Sequence, residues 1–491
     1  MTLSDSFMDP SSMDPSSGEP RLSGKLLAAI CLFQVALIAI PFVVSDTAPV
    51  VAVVVLLSAS ALFGSAPAAV FALCFLSAVV PTEFYEEHLT LPLGFKFYEG
   101  MFVLVAGMAF LRWLLDGQLK WPVKTSLDRP MLVFLGLVVG SMALGMFYGQ
   151  STSQMLRDVR YPLYYALFFM VTFTMDVRRS RQFISIVVVA STVVGLQYLL
   201  EFFQVVNVSI AGSFFRVARS EGLMLPTGVL VAATAFLFDP SPVRRVGMAA
   251  AIVPIGLAVV LTVGRGMWVA VLTGLICLAG VVIIDPKMRQ RGRRLAVVAL
   301  LPLVLVGIGY GFQQVTGAGI GDTAAKRLAR VAAYEDDHSI VGRLVSFRVA
   351  LAKIVRRPLL GGGHGETITY LVTETVDPFV LTAGELDNLY LTLMLRMGLV
   401  GMAAFVWIFL RGMKRALRLV RVSEDDSTRQ FAATFLVLYS AMLVYGMADA
   451  TMIDTRLAFF HAVFLGFVGL LSNALPDEAV VEPTADASGV G

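Results

Sequence analysis

The chain has 491 residues, 57% of them hydrophobic, with a mean hydropathy of +0.80, a balance that excludes an ordinary soluble enzyme. A net charge of only +3 gives no overall electrostatic reason to expect a nucleic-acid partner. Apolar runs of about 17 to 25 residues recur along the chain and do not alternate, which excludes a β-barrel and specifies a polytopic α-helical membrane protein.

Residues 1–22 begin polar and rich in Pro and Ser, with no basic start, and read as a disordered cytoplasmic tail, not a cleavable signal. A transmembrane bundle then runs over 23–314, a water-exposed insert over 315–386, C-terminal transmembrane helices over 387–473 and an acidic disordered tail over 474–491. The apolar pattern predicts about fourteen spans. They lie near 25–44, 47–63, 66–82, 98–115, 130–147, 160–175, 182–206, 224–238, 246–262, 266–284, 295–314, 387–410, 430–448 and 456–473. The expected fold is therefore an all-α bundle of about 12–14 transmembrane helices with one large loop that itself contains helices. Cys31, Cys74 and Cys277 all fall within apolar runs, so neither a disulfide framework nor a metal site is expected.

Orientation follows from Lys and Arg in the short loops. Basic clusters at Lys120–Arg129, Arg178–Arg181, Arg244–Arg245, Lys287–Arg294 and Arg411–Arg421 fall in alternate loops, on one side if the span count holds. That side is cytoplasmic, which puts both termini inside and the 315–386 insert on the external face of the membrane. Arginines in the opposite loops run against this rule and need another reason.

Three of them stand out. Arg216 and Arg219 sit in a loop between spans, and Arg265 sits in the short turn Thr262-Val263-Gly264-Arg265-Gly266, where the flanking glycines permit close backbone approach to a ligand. A guanidinium at the membrane boundary faces a partner or a cavity, or snorkels to headgroups. Planar, permanently charged donors suit phosphate oxygens, so a pyrophosphate clamp is the functional reading.

Within the insert, Leu344, Phe347, Ala350, Leu351 and Ile354 fall on one helical face, and Pro358 ends that helix. A helix on the outer membrane surface and a plain surface helix packed on the bundle both fit this pattern. Gly361-Gly362-Gly363-His364-Gly365 lacks the Lys-Ser/Thr of a phosphate-binding P-loop and reads as a sharp turn that returns the chain to the site. Asp387 stands where the chain re-enters the membrane, either as a helix cap or as a base for a hydroxyl group; His364, His338 and Glu385 are rival bases. Asp449 and Asp454 either pair with Arg456 or face the same cavity.

Taken together, these segments resemble the O-antigen ligase and Wzy-type polymerase superfamily. The carriers are Arg216-x-x-Arg219-Ser220-Glu221-Gly222, Gly264-Arg265-Gly266-Met267-Trp268, Gly342-Arg343 through Pro358-Leu359-Leu360-Gly361, and Asp387-Asn388-Leu389-Tyr390-Leu391 with Gly398-Leu399-Val400-Gly401. The usual Phe-x-Asn-Pro after the first segment is absent, Gly264 replaces a serine, and Asp387 takes the place of the family's histidine. The resemblance implies a metal-independent inverting glycosyltransferase that uses no cofactor. Its donor is an undecaprenyl-pyrophosphate-linked glycan and its acceptor a glycan or glycolipid. The lipid bilayer, a chain-length regulator and export proteins are the other expected partners. It further implies catalytic roles for Asp387 and Arg265, and substrate binding by Arg216, Arg219, Arg343, His364, Asn388 and Tyr390. The aspartate at the histidine position leans the reading towards polymerisation of exopolysaccharide, capsule or O-antigen repeats; ligation to lipid A core is the alternative. A transporter or flippase is the rival from another class, and would need internal repeats and charges at mid-membrane.

Overall fold

In the computed structural model, the described residues are 66–82, 84, 96–115, 125–202, 220–262, 264–284, 296, 300, 307, 338–372 and 379–474. The expected spans 25–44 and 47–63, most of 295–314, and the loop that carries Arg216 and Arg219 lie outside them.

The protein is an all-α polytopic bundle. Its helices are α1 (Ala66–Val79), α2 (Phe97–Leu115), α3 (Asp128–Phe147), α4 (Thr152–Leu163), α5 (Leu167–Thr174), α6 (Ser180–Phe202), α7 (Met224–Phe238), α8 (Pro242–Leu261) and α9 (Arg265–Ile284). After these come α10 (His338–Arg356), the strands β1 (Ile368–Val372) and β2 (Phe379–Ala383), and then α11 (Leu389–Val422), α12 (Asp426–Tyr445), α13 (Thr451–Asp454) and α14 (Ala458–Asn473). Among the described residues, five helical segments are long and apolar enough to cross a membrane: Asp128–Phe147, Val177–Glu201, Pro242–Leu261, Arg265–Ile284 and Leu389–Val422.

Helix α7 is shorter than a bilayer needs, and its packing explains why. Its side chains are buried almost all round, from Met224 to Phe238, against α6, α8, α9 and α12. A helix enclosed by other helices need not match the thickness of the hydrocarbon. The outer helices differ. Val133 and Val139 on α3, Val246 and Val253 on α8, and Leu272 and Ile276 on α9 are exposed, as expected for side chains that meet lipid tails.

Two polar ends bound the bundle. At one, Asp239 takes ion pairs from Arg181 at 3.2 Å and Arg244 at 4.0 Å, and Asp425 caps α12 by accepting from Thr428 N–H at 2.8 Å. The other end carries the insert, the α8–α9 turn and the segment 446–457.

Two features of the insert go beyond the expected helices. Residues 368–372 and 379–383 pair antiparallel, with Tyr370 opposite Leu381. The signal was legible in the β-branched and aromatic runs Ile-Thr-Tyr-Leu-Val and Phe-Val-Leu-Thr. The apolar face of α10 also divides. Ala350 and Ile354 are buried with Ile368, Leu386 and Leu395, while Leu344 and Leu351 stay exposed. The hairpin and α11 cover only one side of the helix.

Candidate active site

Helix α11 is not continuous. Gly398 has φ 66° and ψ −170°, which breaks the helix about 14 Å below its start. A break there strands the carbonyls of Leu395 and Arg396 and the N–H groups of Leu399 and Val400, which would otherwise pair with each other. The segment after α10 supplies all four partners. Gly362 and Gly363 N–H donate to the Leu395 and Arg396 carbonyls at 2.8 and 3.0 Å. Leu399 and Val400 N–H donate to the Pro358 and Leu359 carbonyls at 2.8 and 3.2 Å. The triple glycine is thus a backbone splint for a broken helix as well as a turn. Gly363, at φ 85°, lies so close to Gly145 that a Cβ would collide with that residue's backbone, and a Cβ on Gly398 would strike the Leu359 carbonyl.

The splint places Arg396 beside a set of acids. Its side chain is 1% exposed. Nη1 pairs with Asp454 at 2.7 Å, Nη2 lies 3.5 Å from Asp158, and Nη2 also donates to the Gly384 carbonyl at 2.8 Å. Asp158 accepts from Gly365 N–H at 3.1 Å and from the Gln154 amide at 2.7 Å. Burial pushes the Asp158 and Asp454 carboxyls upward, and Arg396 opposes the rise in both. The segment Gly384-Glu385-Leu386 crosses above this cluster. Partial enclosure, together with Asp454 and Asp158, raises the Glu385 carboxyl to about 7, with Arg396 and Arg157 acting against the shift, although the residue keeps a solvent-exposed side.

A second group lies where α9, α11 and α12 meet. The α8–α9 turn is held by Gly264 N–H donating to Thr262 Oγ1 at 3.2 Å, and the Trp268 indole donates back to the Val259 carbonyl at 3.2 Å. Arg265 opens α9, and a Cβ on the next residue, Gly266, would sit 3.0 Å from the Tyr445 ring. The Tyr445 hydroxyl donates to Asp449 at 3.2 Å. Arg343 on α10 donates to Asp387 at 2.7 Å, with both side chains partly open to solvent. Burial, reinforced by the Asp387 charge, pushes the Asp449 carboxyl upward.

Of the residues expected from the sequence, Arg265, Arg343, Asp387, Asn388 and Tyr390 therefore converge on the end of α12 and the turn after it. Asn388, not Asp387, is the N-cap of α11: its Oδ1 accepts from Leu391 N–H at 2.9 Å and its Nδ2 donates to the Met447 carbonyl at 3.0 Å. The Tyr390 hydroxyl donates to the Leu443 carbonyl at 2.6 Å. His364 lies apart from this group. It is 1% exposed next to Arg396, and burial lowers its imidazole to about 3, so the ring is neutral. Of the two roles left open for Asp454, pairing with Arg456 is not the one seen: Asp454 pairs with Arg396, while Arg456 donates to Thr82 at 3.3 Å and lies over the Tyr98 ring.

Arg396 and Asp158 escaped the reading of motifs. The signal for Arg396 was a lone charge inside an otherwise apolar run, which marks a partnered or functional position. Asp158 gave none, because an acid in an amphipathic surface helix is ordinary.

The fold and this polar end define a multi-pass membrane protein with a cluster of buried and half-buried ionisable groups at one of the two polar ends of a helical bundle. Residues 250–406 match the family model described as O-antigen ligase (Wzy_C), which supports the O-antigen ligase/Wzy superfamily as the family of this chain. The match takes in Arg265, Arg343, His364, Asp387 and Arg396, and stops short of Asp158, Tyr445, Asp449 and Asp454. No curated protein matches the chain. The family supports a membrane function of the O-antigen ligase or polymerase type.

Proposed function

We propose that the protein transfers glycan from an undecaprenyl-pyrophosphate-linked oligosaccharide at the periplasmic face of the inner membrane, and that it polymerises repeats of an exopolysaccharide, capsule or O-antigen. The observation that carries this reading is the convergence of Arg265, Arg343 and Asp387 on the Tyr445–Asp449 turn. An acceptor hydroxyl oxygen attacks the anomeric carbon and the bond to the pyrophosphate oxygen breaks, with inversion. The hydroxyl proton passes to a carboxylate. Negative charge grows on the departing pyrophosphate, and guanidinium groups already in place stabilise it more in the transition state than before. The residues supply the needed charge themselves, so no metal or cofactor enters the scheme. Arg216 and Arg219 are further candidates for donor binding. His364, Asn388 and Tyr390 support the walls of the site, through the splint and the start of α11.

Ligation to a lipid A core is the second reading, favoured by the description of the matched family. It uses the same chemistry with a different acceptor. Cells that lack the protein decide between them: single lipid-linked repeats accumulate if it is a polymerase, and unattached lipid-linked polymer if it is a ligase. Arg265→Ala lowers product formation by roughly 10²–10³-fold at unchanged protein level. Normal glycan yield in that variant would remove Arg265 from the mechanism.

A further inference from the structure

Two acids two residues apart, Glu385 and Asp387, lie on the segment that leads into α11, Glu385 beside the Arg396 cluster and Asp387 beside the Tyr445–Asp449 group. Asp387 is tied to Arg343 at 2.7 Å. A carboxylate held by a guanidinium is a weaker base and has an oxygen already occupied. Among the described residues, no hydrogen bond or ion pair engages the Glu385 carboxyl, and the side chain is exposed.

The backbone around Glu385 is nevertheless fixed. On one side the Gly384 carbonyl accepts from Arg396 at 2.8 Å. On the other, Leu386 is 3% exposed and its N–H donates to Thr392 Oγ1 at 3.3 Å. A side chain with no partner among the described residues, exposed to solvent and carried on a pinned backbone, meets the geometric demands on a general base.

The charges behind it meet the electrostatic demand. Asp158 from α4 and Asp454 from α13 pair with one buried guanidinium, Arg396, and Glu385 lies within reach of its charge. Arg157 of α4 lies farther out and is exposed, and its guanidinium donates to Gln154. His364 is uncharged, and the Tyr161 phenol faces Glu385 from α4. Three carboxyl groups around one cation favour keeping a proton, and Glu385 is the only one of the three open to an incoming hydroxyl. The rise of its carboxyl to about 7 agrees with this count.

We propose that Glu385 receives the proton of the acceptor hydroxyl, and that Asp387 acts as a positioning residue that orients Arg343 towards the leaving group. This rests on the glycosyl-transfer reading above. As the acceptor oxygen bonds to the anomeric carbon and the pyrophosphate leaves with its electron pair, the hydroxyl proton moves to Glu385. It then passes to bulk water.

The test has two arms. In the first, infrared spectra of the purified full-length protein are followed across pH. The wild type is expected to show a carboxylic acid band that disappears as pH rises through neutrality; Glu385→Gln lacks it and Asp387→Asn keeps it. In the second, purified variants are added to membranes from cells lacking the protein, which supply native donor and acceptor, and product formation is followed against pH. The wild type gains rate through an acid limb near neutrality. Glu385→Gln loses roughly 10²–10⁴-fold and the limb with it, while Glu385→Asp recovers part of the rate. Asp387→Asn loses rate but keeps the limb. A limb retained in Glu385→Gln, or abolished by Asp387→Asn alone, overturns the proposal. If wild-type protein forms no glycan product in these membranes, the glycosyl-transfer reading itself falls, and the proposal falls with it. The infrared arm would still report the Glu385 acid in that case, so the two failures are distinguishable.

Discussion

Arg396 is the largest side chain that the described part of the bundle buries completely. A lone guanidinium in that place would be prohibitive; with Asp158 and Asp454 beside it, the group is compensated. Removing the cation leaves two acids facing each other out of water. Arg396→Met is therefore expected to cost about 3–5 kcal/mol, read as a lower melting temperature of the detergent-solubilised protein. The double change with Asp454→Asn recovers part of that loss, because one uncompensated charge goes too. Glu385 belongs to the same network and gives stability a pH dependence. Its folded-state value, about 7, lies above the ordinary 4.5. The folded protein thus holds this proton more tightly than the unfolded chain. The resulting stability is fully present below the unfolded value and is lost as pH rises through the folded one. Between about pH 5 and pH 8 the wild type should lose more melting temperature than Glu385→Gln, which carries no titrating group there.

At the scale of elements, the break in α11 and its splint form one unit. The Pro358-Leu359-Leu360-Gly361-Gly362-Gly363 run lies 35 to 40 residues before Gly398 in sequence and exchanges four backbone hydrogen bonds with the residues on either side of that break. Gly398→Ala meets both a positive φ and a collision with the Leu359 carbonyl. It should destabilise by about 2 kcal/mol or more. Gly140→Ala, inside α3 with nothing within 4 Å of the added methyl, is the control. It should be neutral or gain up to about 1 kcal/mol from helix propensity. Thermal unfolding of both variants checks the pair; equal melting temperatures would mean that the splint does not hold α11. The two halves of this unit were visible in the sequence as motifs. Their partnership was not, because glycines allow many turns, and which carbonyls they cap depends on how α10 docks.

At the scale of the molecule, the two polar ends differ in what they carry. Arg181, Asp239 and Asp425 mark one; Arg265, Arg343, Asp387 and the hairpin mark the other. The loop arginines predict that the second end faces the periplasm. In a chain with Cys31, Cys74 and Cys277 replaced, Thr382→Cys should be labelled in intact spheroplasts by a membrane-impermeant maleimide, and Arg178→Cys only after lysis. The reverse pattern would invert the topology and remove the site from the face on which the proposed glycan donor is placed.

Sequence alone determined the class and placed most helices of the described bundle; it ended α11 near residue 410 where the helix runs to Val422, and it read 160–175 as one span where α4 and α5 are separate helices. The reason is that hydrophobic length and charge at helix ends are local properties, set by the bilayer before any tertiary contact forms. The motifs from Arg265 to Tyr390 could be read for the same reason: each is a short stretch at a membrane boundary. The tertiary structure decided which acids share a cation. Asp158, Glu385, Arg396 and Asp454 come from four separate segments, and only the docking of α4, α11 and α13 brings them together. Electrostatic coupling falls off over a few ångströms, and residues hundreds of positions apart acquire that distance only when the chain packs.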